Sequence, residues 1–194
     1  MSTAPIYADE NWNLPSRGMV AMISLLIGES AIFTIFVVAY IFYIGHSVTG
    51  PTPAILQVPI LNTICLLSSS ITIIMAERAI EHGQMRRLAF FWAFTIALGI
   101  KFLVGSGLEW RDLIYNHGLT ISTNLFGTTF YSLVGLHATH VVIGLIMLSI
   151  VLIFTLTGHV KQQHAERIKV LALYWHFVDA VWVVVFTVVY IVGR

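Results

Sequence analysis

Five stretches of this chain are apolar for long enough to cross a lipid bilayer as helices, and no other property restricts its folding as much. A hydrocarbon core of about 30 Å takes about 20 residues of α-helix. The runs from about Met19 to Tyr43, Ile60 to Ala79, Leu88 to Leu108, Leu125 to Leu156 and Val170 to Val192 all meet that length. Inside hydrocarbon every backbone N–H and C=O must be satisfied within the protein, so such runs fold as helices. With 58% hydrophobic and 10% charged residues, too little polar surface remains to coat a water-soluble globule. The expected fold class is therefore all-α: an integral membrane bundle of five transmembrane helices, with residues 1–17 as a tail and 18–194 as the transmembrane domain. The fourth run is the longest and is expected to tilt or to project into the interface.

The breaks between runs are short. Gly50-Pro51-Thr52-Pro53 with Pro59 interrupts the chain after the first span. The linkers Glu77 to Arg87, Arg111 to Asn124 and Thr157 to Lys169 follow, and none could separate two domains. No internal repeat is visible, which speaks against an inverted-repeat transporter. The lone Cys65 sits in an apolar run and reads as a small buried hydrophobe, with no disulfide framework. The first seventeen residues carry Asp9, Glu10 and a single cation, Arg17, so a signal peptide is not expected. A net charge of +1 gives no basis for a nucleic-acid partner.

Five spans put the N-terminus and the second and fourth connections on one side. That side holds Arg17, Arg78, Arg86, Arg87, Lys161, Arg167 and Lys169, whereas the other holds Arg111 and Arg194. The excess of cations on cytoplasmic loops predicts the N-terminus inside and the C-terminus outside. Trp12, Trp92 and Trp110 fall near span ends and fit interfacial anchoring, with packing inside the bundle an equal alternative for Trp92.

The chemistry concentrates in one layer. Glu29 lies about 16 Å into the first span at 1.5 Å rise per residue, near mid-membrane. A carboxylate there costs several kcal/mol unless it is protonated, paired or hydrated. Ser68, Ser69 and Ser70 of the second span, His137 and His140 of the fourth, and His176 and Asp179 of the fifth reach a similar depth. Three readings are open: mutual satisfaction of acids by histidines and serines, a proton site at Glu29, or a haem held between His140 and His176. His-x-x-His alone is a weak metal signal. Lys101 lies inside the third span and either snorkels or faces a carboxylate such as Glu109. Glu109 and Trp110, beside Arg111 and Asp112, read as an interfacial charge cluster.

At these residues a family becomes recognisable. PILNTICLLSSSI, Pro59 to Ile71, resembles the second core helix of subunit III of haem–copper terminal oxidases. FGTTFYSLVGLHATHVVIG, Phe126 to Gly144, resembles that family's histidine-pair segment. YWHFVDAVW, Tyr174 to Trp182, is similar to its most diagnostic block, and Arg17-Gly18-Met19 with Gly28-Glu29 to its helix with a buried glutamate. Leu98-Gly99 and Glu109-Trp110 match more loosely. The matches run in order over nearly everything beyond residue 16 and suit the five-helix form. The sequence departs from the family pattern at Ser70 (usually glycine), Leu136 (usually Phe), Trp110 (usually Tyr), Lys101 (usually apolar) and Glu77-Arg78 (often His). These departures leave open whether the complex is a cytochrome c oxidase, a quinol oxidase or a nitric-oxide-reductase-associated homologue.

The resemblance implies a subunit without chemistry of its own. Haem and copper are expected in partner subunits, with neither cofactor nor metal in this chain. It implies packing on catalytic subunit I, with subunit II and other oxidase subunits in the complex, and phospholipids in a cleft between the first two and the last three helices. Glu29, with His137, His140, His176 and Asp179, is then the buried proton or structural site, supporting proton uptake and enzyme lifetime. Arg78, Arg86, Arg87, Glu109, Trp110, Trp175 and Trp182 are expected at lipid or partner interfaces. The implied setting is a bacterial or archaeal plasma membrane, or an organellar inner membrane. A proton-coupled transporter and a haem-binding membrane anchor are the rival classes.

Overall fold

The computed structural model describes residues 16–44, 46 and 50–193. Five helices make up nearly all of it: α1 (Arg17–Tyr43), α2 (Ile60–Glu81), α3 (Met85–Tyr115), α4 (Leu125–Leu156) and α5 (Ala165–Phe186), the last running on into a π-helical stretch, Thr187–Val192. Each is long and apolar enough to cross a membrane, and no strand occurs among the described residues. Trp12, Arg194 and most of the expected N-terminal tail lie outside the described residues.

Helix ends depart from the hydropathy windows where polar side chains find partners. α3 starts three residues before Leu88 and continues past Leu108 to Tyr115. A hydropathy window stops at the first charges, but the backbone ladder continues because Glu109 turns inward to Tyr190 and Asp112 accepts from Asn116. α2 and α3 form a tight hairpin through Gly83, whose φ of 68° is in the left-handed region that favours glycine. Asn124 caps α4 by accepting from Gly127 N–H at 2.8 Å, and its amide donates to Pro51 O at 3.0 Å, tying the α1–α2 connection to the α3–α4 connection.

The packing order places α5 against α1, α2 and α4, and α4 against α1, α3 and α5, with α2 and α3 in the closest pairing. α1 lies along α4 and α5, while α2 lies along α3 and α5. The first two helices therefore do not stand together against the last three, and the cleft expected between those groups is not the division the structure makes.

The centre of the bundle is Trp175, fully enclosed at 0% exposure. Its indole N–H donates to Ser69 Oγ of α2 at 2.8 Å. One edge of the ring lies against Gly99 of α3 and another against Gly144 of α4, so closely that a Cβ on either would come within 2.9 Å of a ring carbon. Small residues let helix backbones approach, and here two glycines make room for one aromatic ring. Trp92, 1% exposed, donates its N–H to Leu148 O at 2.9 Å, so it pins α3 to α4 and does not anchor at an interface.

Two ends can be recognised. Glu81 closes α2 beside the start of α5, bonded to Lys169 Nζ at 2.5 Å and through its carbonyl to Gln162 at 2.6 Å. Gly18 of α1 touches Val170 there. This end is called the N-terminal face. At the far end Tyr190 reaches Glu109, and Gly193 packs on Tyr40 and Ile44.

Candidate functional site

The polar residues expected to share one layer separate into two sites and one isolated histidine. The first site joins α1 to α4. His140 Nδ1 stands 2.8 Å from Leu136 O, and a carbonyl only accepts, so Nδ1 carries a hydrogen. His140 Nε2 stands 3.1 Å from Glu29 Oε2. With Nδ1–H committed, that contact needs one further proton, on the Glu29 carboxyl or on Nε2. Either arrangement leaves the pair neutral as a whole, which is how two ionisable groups are tolerated within helices apolar enough to cross a membrane. Phe33 packs on the His140 ring at 5.0 Å between centroids, and Tyr174 Oη donates to His140 O at 3.2 Å. The Glu29 side chain keeps 23% of its surface exposed, so the pair opens onto the flank of the bundle.

The second site joins α2 to α5. Ser70 Oγ donates to Asp179 Oδ2 in a short hydrogen bond and lies 3.2 Å from His176 Nδ1. Ser69 Oγ is also within reach of Asp179 Oδ2, at 3.4 Å, while donating to Leu66 O at 2.6 Å. His176 Nε2 faces Glu77 Oε2 at 3.8 Å. Asp179 is 3% exposed, whereas His176 and Glu77 are half-buried toward the N-terminal face. Ser68 takes no part in this site.

His137 belongs to neither. It is 1% exposed, and neither ring nitrogen has a hydrogen-bond partner among the described residues. Trp182, Phe102 and Phe33 surround it at centroid distances of 5.0, 5.8 and 6.5 Å. Three residues along a helix turn the side chain by about 60° from its neighbour's direction. That offset sends His140 to α1 and leaves His137 in the aromatic interior. Two histidines three apart thus have different surroundings here.

The haem reading finds no support in this geometry. An axial ligand needs a free ring nitrogen, yet both nitrogens of His140 and of His176 face polar groups, on different helices. Among the described residues no three of His, Cys, Asp and Glu converge to hold a metal ion.

The interface candidates divide as well. Trp175 and Trp182 are inside the bundle at 0% and 1% exposure, which corrects their expected place at a lipid or partner surface. Trp182 N–H donates to Thr63 Oγ1 at 3.2 Å, and its ring meets Phe102 edge-on at 4.7 Å. Glu109 leaves the expected charge cluster and accepts from Tyr190 Oη at 2.7 Å. Trp110 packs edge-on against Tyr131 at 5.4 Å, with its indole N–H buried and unpaired among the described residues. Lys101 bonds Asn62 Oδ1 on α2 at 3.1 Å and so faces neither Glu109 nor another acid.

Arg78, Arg86 and Arg87 are exposed at the N-terminal face. Arg78 and Arg87 line a cleft of about 400 Å³ with His82 and Gln84, and Met75, Ala79 and Phe91 form its apolar wall. Arg87 Nη1 donates to Gln84 at 2.8 Å, while Arg78 and Arg86 make no side-chain hydrogen bond or ion pair with a described residue. Arg86 does not line the cleft. α2 thereby sorts its charges, acids toward α5 and Arg78 toward the open cleft.

Comparison with known proteins adds an independent line. The family model described as cytochrome c oxidase subunit III matches residues 17–194. The chain is 34% identical over 169 residues to "Cytochrome c oxidase subunit 3" of Alkalihalophilus pseudofirmus, covering 86% of this chain and 82% of the relative. The protein of the same name from Thermostichus vulcanus is 33% identical over 97% of this chain and 94% of its own length. That from Sus scrofa is 34% identical over 87% of this chain and 67% of its own.

Proposed function

The chain belongs to the cytochrome c oxidase subunit III family, and from that premise we propose that it is the non-catalytic subunit III of a proton-pumping haem–copper oxidase that reduces oxygen to water. It is a multi-pass membrane protein, and haem and copper reside in the partner subunits. It packs on subunit I, with subunit II and other oxidase subunits in the same complex. The excess of cations at the N-terminal face supports placing that face inside, and the membrane is a bacterial or archaeal plasma membrane or an organellar inner membrane. Cytochrome c is the donor that the relatives' names support.

The observation that carries the reading is the Glu29–His140 contact at 3.1 Å. A partly exposed, proton-sharing acid at mid-membrane depth is costly against lipid. A partner subunit that covers the α1–α4 flank removes that cost and gains a protonatable group next to its own surface. Glu29 thereby supports proton uptake and the lifetime of the complex without taking part in electron transfer. The cleft of Arg78 and Arg87 holds the phosphate of an anionic phospholipid, with an acyl chain along Met75 and Phe91.

Glu29→Ala in the assembled complex tests this. The haem absorbance spectrum stays that of the wild type, and the number of turnovers before inactivation falls. A variant with unchanged turnover lifetime and unchanged lipid content contradicts the proposal.

A further inference from the structure

The second polar site has a property the first does not: its groups form a line from the N-terminal face into the bundle. Glu77 and His176 are half-buried at the entrance, Ser70 stands in the middle, and Asp179 is enclosed at the end. Glu77 and Ser70 are also two of the positions at which this sequence departs from the pattern of the family it resembles.

We propose that Glu77, His176, Ser70 and Asp179 form a proton relay in which one proton is shared between His176 and Asp179 through the Ser70 hydroxyl, giving the chain a proton-binding site separate from Glu29–His140.

The hydrogen-bond geometry admits two arrangements with the same number of protons. In one, Asp179 is ionised and accepts from Ser70 O–H; Ser70 Oγ accepts from His176 Nδ1–H, and the imidazolium presents Nε2–H to the Glu77 carboxylate. In the other, Asp179 carries the proton and donates to Ser70 Oγ, Ser70 O–H donates to His176 Nδ1, and the neutral ring keeps Nε2–H toward Glu77. Conversion breaks the Nδ1–H bond and forms an O–H bond at Ser70. In the same step the original Ser70 proton passes to Asp179 Oδ2. The imidazolium and carboxylate become two neutral groups, and no heavy atom has to move. Asp179 Oδ1 has no hydrogen-bond partner among the described residues, so nothing on that side commits the carboxyl to the ionised form.

Apart from Ser69 Oγ, 3.4 Å from Asp179 Oδ2, other polar groups of the bundle are engaged elsewhere. On α2, Glu81 is taken up by Lys169. On α1 and α4, Glu29 and His140 are bound to each other, and His137 is enclosed by aromatic rings. On α3, Lys101 is held by Asn62 and Glu109 by Tyr190. None of these makes a hydrogen bond or ion pair with His176 or Asp179. The one anion at the entrance is Glu77, and its negative charge favours the arrangement in which His176 is cationic.

Infrared difference spectroscopy on the oxidase complex purified with this chain, in H₂O and D₂O, reads both arrangements. The carboxyl band lost in Asp179→Asn belongs to Asp179. Glu77→Gln removes the charge that favours the imidazolium and raises that band at least about twofold at a fixed pH. Ser70→Ala removes the bridge and slows hydrogen–deuterium exchange of the Asp179 carboxyl by about tenfold, the cost of one lost buried hydrogen bond. Ser70→Thr keeps the hydroxyl and keeps the wild-type rate. The proposal is overturned if no Asp179 band appears in the wild type at any pH at which the complex is stable, or if Glu77→Gln leaves the band unaltered. It is likewise overturned if Ser70→Ala exchanges as fast as the wild type, or if Ser70→Thr is as slow as Ser70→Ala, which would mark a packing role. Should Ser70→Ala not assemble, the Glu77→Gln amplitude decides alone.

Discussion

Gly144→Ala tests how the bundle is centred. The added methyl carbon would lie 2.9 Å from Cε3 and Cζ3 of Trp175 and 3.4 Å from Cε1 of Tyr174. Carbon atoms prefer about 3.5–4.0 Å, so the indole has to retreat by more than half an ångström. It has nowhere to go. Its other edge faces Gly99, where a Cβ would meet Cη2 at 2.8 Å, and its N–H is held by Ser69 at 2.8 Å. Overpacking a rigid core costs about 1–3 kcal/mol, and moving the indole adds the loss of the Ser69 hydrogen bond, worth about 1 kcal/mol. The expected loss is therefore about 2–4 kcal/mol. Gly107→Ala is the control, since a Cβ there meets nothing within 4 Å. In a helix that substitution is neutral or stabilises by about 0.5–1 kcal/mol. Denaturant titration of the purified complex in mild detergent, followed by circular dichroism, measures both. The double variant Gly144→Ala with Trp175→Phe should cost less than the sum of its parts, because the smaller ring yields the space the methyl needs. If Gly144→Ala is as stable as Gly107→Ala, or if the double variant is simply additive, Trp175 is not wedged between the glycines and the packing argument fails.

The remaining predictions concern the polar groups. His137→Phe should stabilise the chain by about 1–3 kcal/mol in the same titration, since it replaces two buried, unpaired ring nitrogens by carbon; His140→Phe, which strands Glu29, should destabilise it. Neutralising Arg78 and Arg87 together should lower anionic phospholipid retained by the complex by about fivefold per arginine, whereas Arg86→Gln leaves it unchanged; equal loss from Arg86→Gln, measured by lipid mass spectrometry, removes the cleft as the binding site.

The five helices were legible from residue order alone. Backbone groups in hydrocarbon have one way to be satisfied, so a long apolar run dictates a helix whatever its neighbours do. Glu29 and Asp179 stood out for the same reason, because an acid in such a run demands a partner. Which partner each would find was not legible. A soluble helix advertises its buried face by hydrophobic contrast, but a helix that is apolar all round carries no such mark. Trp175 and Trp182 therefore read as surface candidates and proved to be the largest fully buried side chains of α5. Glu29 met His140 and Ser70 met Asp179, but the directions of these side chains around each helix axis split them into two sites.

Hydropathy acts along the chain and needs no knowledge of neighbours, so the primary structure alone decided that there are five membrane helices and which of them carry the acids, while α3 ran on past its apolar run to Tyr115. Rotation of each helix about its own axis is set by packing against the others. Only the assembled bundle decided that His140 meets Glu29 while His137 is walled in by aromatic rings, and that Ser70 comes to stand between His176 and Asp179.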